Sequence, residues 1–223
     1  MTRLIGAALA AATLGLAGAA HAQDATPNWE FSTGVDYATG DYGGDVDSDY
    51  YAVPIEAKVT IDRLRFEVSV PWVSIDGPAN LVGGGGVVGG GSADTSQRSG
   101  LGDVNASAAV AVLRGDNNRS ALELGGRVKF PTADDDIGTG ETDFAAMVNG
   151  RKAVSDTTLL FGSVGYEWMG DPEAYDVEDG FLASAGVNFA PGDRSGFGAA
   201  LYYREPYTAD ADDYITLSPY FYT

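Results

Sequence analysis

Cysteine is absent from this 223-residue chain, and histidine occurs once, as His21. No disulfide can staple the fold, and no thiolate is on offer as nucleophile or zinc ligand. Cations are scarce too, with 13 Lys and Arg against 32 Asp and Glu. Such a surface repels a polyanion, which argues against nucleic acid as a partner. Beyond residue 22, no stretch reaches the roughly eighteen consecutive apolar residues of a membrane-spanning helix. If the chain resides in a membrane, it must cross with strands.

The amino end has the pattern of a secretory leader. Arg3 precedes an Ala- and Gly-rich apolar run over 4–20, and the small-x-small tripeptide Ala20-His21-Ala22 follows. A signal peptide over 1–22 is expected, cut near Ala22 after Sec-type export, with 23–223 as the mature domain. The only histidine would be lost with it.

After Pro27, every second side chain is apolar in ten successive segments, at about 28–40, 50–61, 63–73, 102–113, 120–130, 143–154, 158–168, 181–190, 196–204 and 214–222. Their length suits tilted membrane strands better than the five or six residues usual in soluble proteins. Leu64, Phe66, Val68, Val70 and Trp72 share one face, whereas Arg63, Arg65, Glu67 and Ser69 share the other. Leu122, Leu124, Val128 and Phe130 likewise oppose Glu123, Arg127 and Lys129. Arg or Lys at the lipid midplane costs roughly 2–4 kcal/mol, so the charged face is expected to line a lumen and the apolar face to meet lipid. A soluble β-sandwich would share the alternation alone.

Connections alternate as well. Short links at Asp62, 114–119, 155–157 and 191–195 separate long ones at 41–49, 74–101, 131–142, 169–180 and 205–213. That is the pattern of short periplasmic turns and long external loops, and it puts both termini on the periplasmic side. Tyr37, Tyr51, Trp72, Phe130, Phe144, Trp168, Phe181 and Tyr203 then form an outer aromatic girdle. Trp29, Phe189, Phe197 and Phe221 form an inner one. The expected fold is an all-β, antiparallel transmembrane barrel of the Gram-negative outer membrane, with lipid and lipopolysaccharide as its surroundings.

Three stretches, SGLGDV at 99–104, KFPTADD at 129–135 and GTGETDF at 138–144, resemble in order and spacing the outer-membrane transporter family of the MetA-pathway of phenol degradation type. The resemblance covers about a third of the mature chain. It implies a barrel with a role in passage of aromatic or other small hydrophobic compounds, and assigns no functional residue. The family leads one to expect a further hairpin and a closing aromatic residue where this sequence ends at Tyr220-Phe221-Tyr222-Thr223. Ten strands close the ring as it stands; twelve would close it if the natural chain continues.

The loops and interior supply the remaining candidates. The glycine run LVGGGGVVGGGS at 81–92 lacks the Lys-Ser/Thr of a phosphate loop and reads as a flexible outer loop, with an occluding flap as its specific alternative. Asp45, Asp47, Asp49 and Glu56 match a calcium-loop spacing, but Tyr50 occupies the position that needs Gly. Asp45, Asp47, Asp49, Asp134, Asp135 and Asp136 remain loose divalent-cation candidates that could bridge to lipopolysaccharide phosphates; a solvated acidic rim that keeps the loops soluble is the favoured reading. No cofactor is expected. Without a mature His or Cys, a Ser-His or Cys-His nucleophile pair cannot be assembled, and the chain is read as no enzyme.

The expected lumen-lining set is Glu56, Lys58, Arg65, Glu67, Glu123, Arg127, Lys129, Glu167 and Arg204. Two functions stay open. The charges either line a narrow path for small solutes, or pair into a plug within a structural or surface-binding barrel whose acidic loops do the work. Nothing in the residues sets an oligomeric state.

Overall fold

Residues that alternate apolar and polar can bury neither face of an isolated strand, so they are driven into a sheet whose two faces differ. The computed structural model has this form. It describes residues 26–40, 48–78, 81–82, 86–87, 95–115, 119–134, 137–172, 177–192, 195–207 and 213–222, which form fourteen strands and no helix. The expected leader, Asp45, Asp47, Asp135 and Asp136 lie outside them.

The strands are β1 (Asn28–Thr33), β2 (Asp36–Gly40), β3 (Ser48–Ile61), β4 (Leu64–Pro78), β5 (Leu81–Val82), β6 (Gly86–Val87), β7 (Thr95–Leu101) and β8 (Val104–Arg114). The series continues with β9 (Ser120–Phe130), β10 (Asp143–Ala153), β11 (Thr158–Trp168), β12 (Gly180–Phe189), β13 (Gly196–Arg204) and β14 (Tyr214–Tyr222). All but β5 and β6 join one antiparallel sheet in the order β1-β3-β4-β8-β9-β10-β11-β12-β13-β14, with β2 also on β3 and β7 also on β4. The sheet thus has ten strand positions, as the alternation predicts. It curls into a half-barrel, and among the described residues no ladder joins β14 to β1.

Two expectations are corrected. The first segment is interrupted at Gly34 and Val35, so β1 and β2 pair with successive parts of β3. The long link at 74–101 is shorter than expected, because β4 runs on to Pro78 and β7 pairs with that extension from Trp72↔Leu101 to Pro78↔Thr95. The hairpin escapes a search for apolar alternation because Ser96, Gln97, Arg98 and Ser99 are polar on both faces. Within the glycine run, the described residues form only the two-residue ladder of β5 with β6.

Short turns gather at one end of the sheet and long connections at the other. Asn28, paired with Thr60, and Tyr222, paired with Gly196, both lie at the short-turn end. The tightest link is Asp62-Arg63, and Asp62 adopts φ 50°, in the left-handed region. Arg63, expected on the charged face, instead belongs to this turn and donates from Nη1 to the Ala111 carbonyl at 3.1 Å. A β-branched residue is strained at such a φ, by about 1–3 kcal/mol. Asp62→Val should therefore lower the urea unfolding midpoint of detergent-folded protein, while Asp62→Gly should leave it nearly unchanged. Asp62→Asn tests separately the ion pair of Asp62 with Arg114, and an Asp62→Val protein as stable as wild type would refute the strain.

Large apolar side chains cover the convex face. Register aligns Leu64, Val110, Leu124, Val148 and Val164 in one row across five strands, and all five are exposed. Aromatic rings border this surface at both ends. Tyr37 packs on Tyr51 (ring centroids 4.7 Å), and Tyr166 contacts both Trp168 (5.2 Å) and Phe181 (4.9 Å) at the long-loop end. At the short-turn end Phe189 packs on Phe197 (5.3 Å) and Trp29 stacks on Phe31 (6.2 Å). Polar and charged side chains take the opposite, concave face, where Glu123, Asp143, Glu167, Arg204 and Ser218 are buried.

Candidate functional site

Because side chains repeat every second residue, each charged position of β3, β4, β9, β11 and β13 that opposes an apolar one is carried onto the concave face. All nine expected lining residues arrive there, and most meet an opposite charge. Arg65 donates from Nε and Nη2 to Glu123 Oε2 (3.1 and 2.9 Å) and from Nη1 to Glu67 Oε2 (3.2 Å). The other Glu123 oxygen accepts from Arg151 Nη1 at 3.2 Å. Glu167 is shared in the same way, with Oε1 bonded by Arg127 Nη2 and Oε2 by Arg204 Nε at 3.1 Å. Lys58 pairs with Glu30 at 2.9 Å. Glu56 takes a hydrogen bond from Ser32 within the field of Lys58 and Glu67.

Lys129 sits nearer the long-loop end. Its Nζ lies 2.6 Å from Asp143 Oδ2 and 3.5 Å from Asp103 Oδ2, and donates to Thr139 Oγ1 at 2.9 Å. Four members of these networks, Glu30, Asp103, Asp143 and Arg151, are missing from the expected set. Glu30, Asp143 and Arg151 obey the same alternation, opposite Trp29, Phe144 and Val148, and extending it to those strands would have found them. Asp103 stands in the break between β7 and β8, where alternation gives no signal.

The three stretches singled out in the sequence interlock beside this lysine. Asp103 Oδ1 accepts from the backbone N–H groups of Thr132 (3.0 Å) and Ala133 (2.9 Å), and Thr132 Oγ1 accepts from that of Val104 (2.9 Å). Asp134 Oδ2 accepts from the Leu101 N–H at 2.8 Å. Gly100 and Gly138 are glycines because a Cβ would collide, at Gly100 with the Asp134 side chain and at Gly138 with Ala133 and Asp103. So fastened, the 131–142 connection folds back over the concave face. Ile137 is 1 % exposed and packs with Val73, Ile75, Tyr50 and Ala52 of β3 and β4. Among the described residues, this connection packs over the concave face, whereas residues 83–85 and 88–92 of the glycine run lie outside them.

The interior is asymmetric. Besides Glu167 and Arg204, β11 to β13 present Leu159, Phe161, Ser163, Leu182, Ser184, Asn188 and Tyr202 on the same face. Ser163 and Ser184 hydrogen-bond to each other at 2.8 Å. On the charged side, a recess of about 350 Å³ opens over β4, β8, β9 and β10, with Arg65, Glu67, Ser69, Asn105, Ser107, Ala109, Gly125, Arg127, Met147 and Asn149 among its lining residues.

Of the loose cation candidates among the described residues, Asp49 accepts from the Tyr37 hydroxyl at 2.8 Å and Asp134 is taken up in the interlock. Glu56 lies within β3, on the concave face and apart from any loop. Among the described residues no three His, Cys, Asp or Glu side chains are grouped so as to hold a metal ion. Against known proteins, the chain matches no protein-family model and no curated sequence.

Proposed function

We propose that this chain is a Gram-negative outer-membrane β-barrel that gives passage to small solutes. The observation that carries the proposal is the inversion of its faces, with large apolar side chains exposed on the convex side and Glu123, Asp143, Glu167 and Arg204 buried on the concave side. In water this arrangement would forfeit the hydrophobic effect, whereas in a bilayer it puts each face in its matching solvent. Ten- and eleven-residue strands such as β9 to β12 (10–11 residues) rise about 3.3 Å per residue, and tilted by about 40° they cross about 25 Å, the height of an outer-membrane apolar band. The aromatic borders fit the headgroup levels. Backbone groups on the edges of β1 and β14 would be costly in lipid, so the ring closes between them in the membrane. An amino-terminal leader accounts for export, and the similarity of 99–104, 129–135 and 138–144 to the MetA-pathway family favours passage of small organic compounds.

A second reading, a plugged structural barrel, is favoured by the mutual pairing of the interior charges and by the packing of Ile137 over the concave face. Single-channel conductance in a planar bilayer separates the two. Protein expressed from the whole chain should show a heat-shifted gel mobility, as closed barrels do, and steady conductance steps. A heat-shifted barrel that never conducts would overturn passage in favour of the plug, and protein that remains soluble and monomeric without detergent would overturn the membrane assignment itself.

A further inference from the structure

We propose that the recess beside Arg127 is a binding site for a small organic anion, held by its carboxylate. This deepens the passage reading and rests on it, since it requires an interior that solutes can enter. Space exists there because one register row across the concave face, Arg65, Ala109, Gly125 and Met147, carries two very small residues in its middle. The volume of about 350 Å³ falls at the small end of small-molecule pockets.

Charge decides the class of ligand. Glu67, Arg65, Glu123 and Arg151 form a chain whose charges cancel. Arg127, Glu167 and Arg204 form a second chain with one carboxylate between two guanidiniums. Arg204 is enclosed, bonding the Glu205 and Glu178 carbonyls and lying 3.5 Å from the Tyr207 ring centroid. Arg127 is not. Among the described residues it makes one ion pair, through Nη2, and its side chain is 36 % exposed at the recess. A guanidinium more than a third exposed, with only Nη2 in an ion pair, keeps N–H groups that can match the two oxygens of a carboxylate. Ser107, Asn105 and Asn149 add uncharged hydrogen-bonding groups along the same wall, and Met147 with Ala109 offers an apolar seat for a short body.

Isothermal titration of the whole-chain protein in detergent micelles with sodium butyrate, n-butanol and butylamine tests the site. Butyrate should bind saturably, with the alcohol and the amine at least tenfold weaker. Arg127→Gln should weaken butyrate at least tenfold and Arg127→Lys by less, because a lysine keeps the charge without the fork. Ser107→Phe, which fills the recess at a residue that is itself in no ion pair, should abolish binding while heat-shifted mobility shows the barrel intact. Equal butyrate affinity in wild type and folded Arg127→Gln, equal affinity for butyrate and butanol, or no butyrate binding to folded wild type would each overturn the proposal. Conductance of the same preparation separates this site from the reading beneath it. An open channel that binds no butyrate sinks the site alone, and butyrate binding by a silent barrel upholds the site while sinking passage.

Discussion

Replacing Glu167 with leucine is expected to lower the unfolding free energy by about 3–5 kcal/mol, the range for removing one partner of a buried ion pair. Glu167 is 7 % exposed and Arg204 5 %, and both carboxylate oxygens are engaged, one by each arginine. Loss of the carboxylate leaves Arg204 enclosed without an opposite charge on the Glu167 side, and that uncompensated cation dominates the cost. Urea titration in micelles, followed by the fluorescence of the neighbouring Trp168, measures it. Glu167→Leu combined with Arg204→Leu should recover much of the loss, since two apolar groups of similar volume need no partner. The exposed pair of Arg119 with Asp156, at 47 % and 92 % side-chain exposure, supplies the contrast, and Asp156→Asn should cost less than about 1 kcal/mol. A Glu167→Leu protein within about 1 kcal/mol of wild type would mean that water reaches Arg204 and that the interior is wetter than its packing implies.

The Glu167 network shows why so much was legible beforehand. A strand has a side-chain period of two, so the parity of Glu123, Arg127 and Lys129 against Leu122, Leu124 and Val128 fixes the face of each without any knowledge of tertiary structure. The placement of all nine on the concave face follows from that rule, and so do the ten strand positions. Pairing between them does not follow. Arg65 reaches Glu123 across β8, and that contact depends on register and on the small residues Ala109 and Ala111 of the intervening strand. Period two also fails wherever a strand leaves its regular course. Val112 is an extra residue in the β8–β9 ladder, so Leu113 faces outward beside Leu122 and Arg114 returns to the concave side against Ala121.

Connections were the least legible part, for a physical reason. The glycine run stands out in composition, yet the connection seen to fold over the concave face is held by hydrogen bonds that Asp103 and Asp134 accept from backbone N–H groups some thirty residues away in sequence. Such long-range bonds leave no periodic trace. What marked them was the recurrence of Gly and Asp in SGLGDV, KFPTADD and GTGETDF, where glycines clear the space that carboxylates need to reach a neighbouring backbone. Which pieces these stretches join is visible only in three dimensions.

The solvent of the convex face can be decided by one substitution at Leu124. This residue is 45 % exposed at the middle of β9, with Val110 and Val148 beside it in the same row. In water, arginine at a half-exposed strand position changes stability by no more than about 0.5 kcal/mol. At the midplane of a bilayer it costs roughly 2–4 kcal/mol, and near the interface only about 0–1. Urea titration in lipid vesicles should therefore find Leu124→Arg destabilised by roughly 2–4 kcal/mol, while Leu113→Arg, beside the short turn after Arg114, stays within about 1 kcal/mol of wild type. The difference between the two variants matters more than either value, because a general dislike of charge on this surface would penalise both alike. Equal, small effects would assign the convex face to water, and the apolar rows would then have to be covered by another protein rather than by lipid.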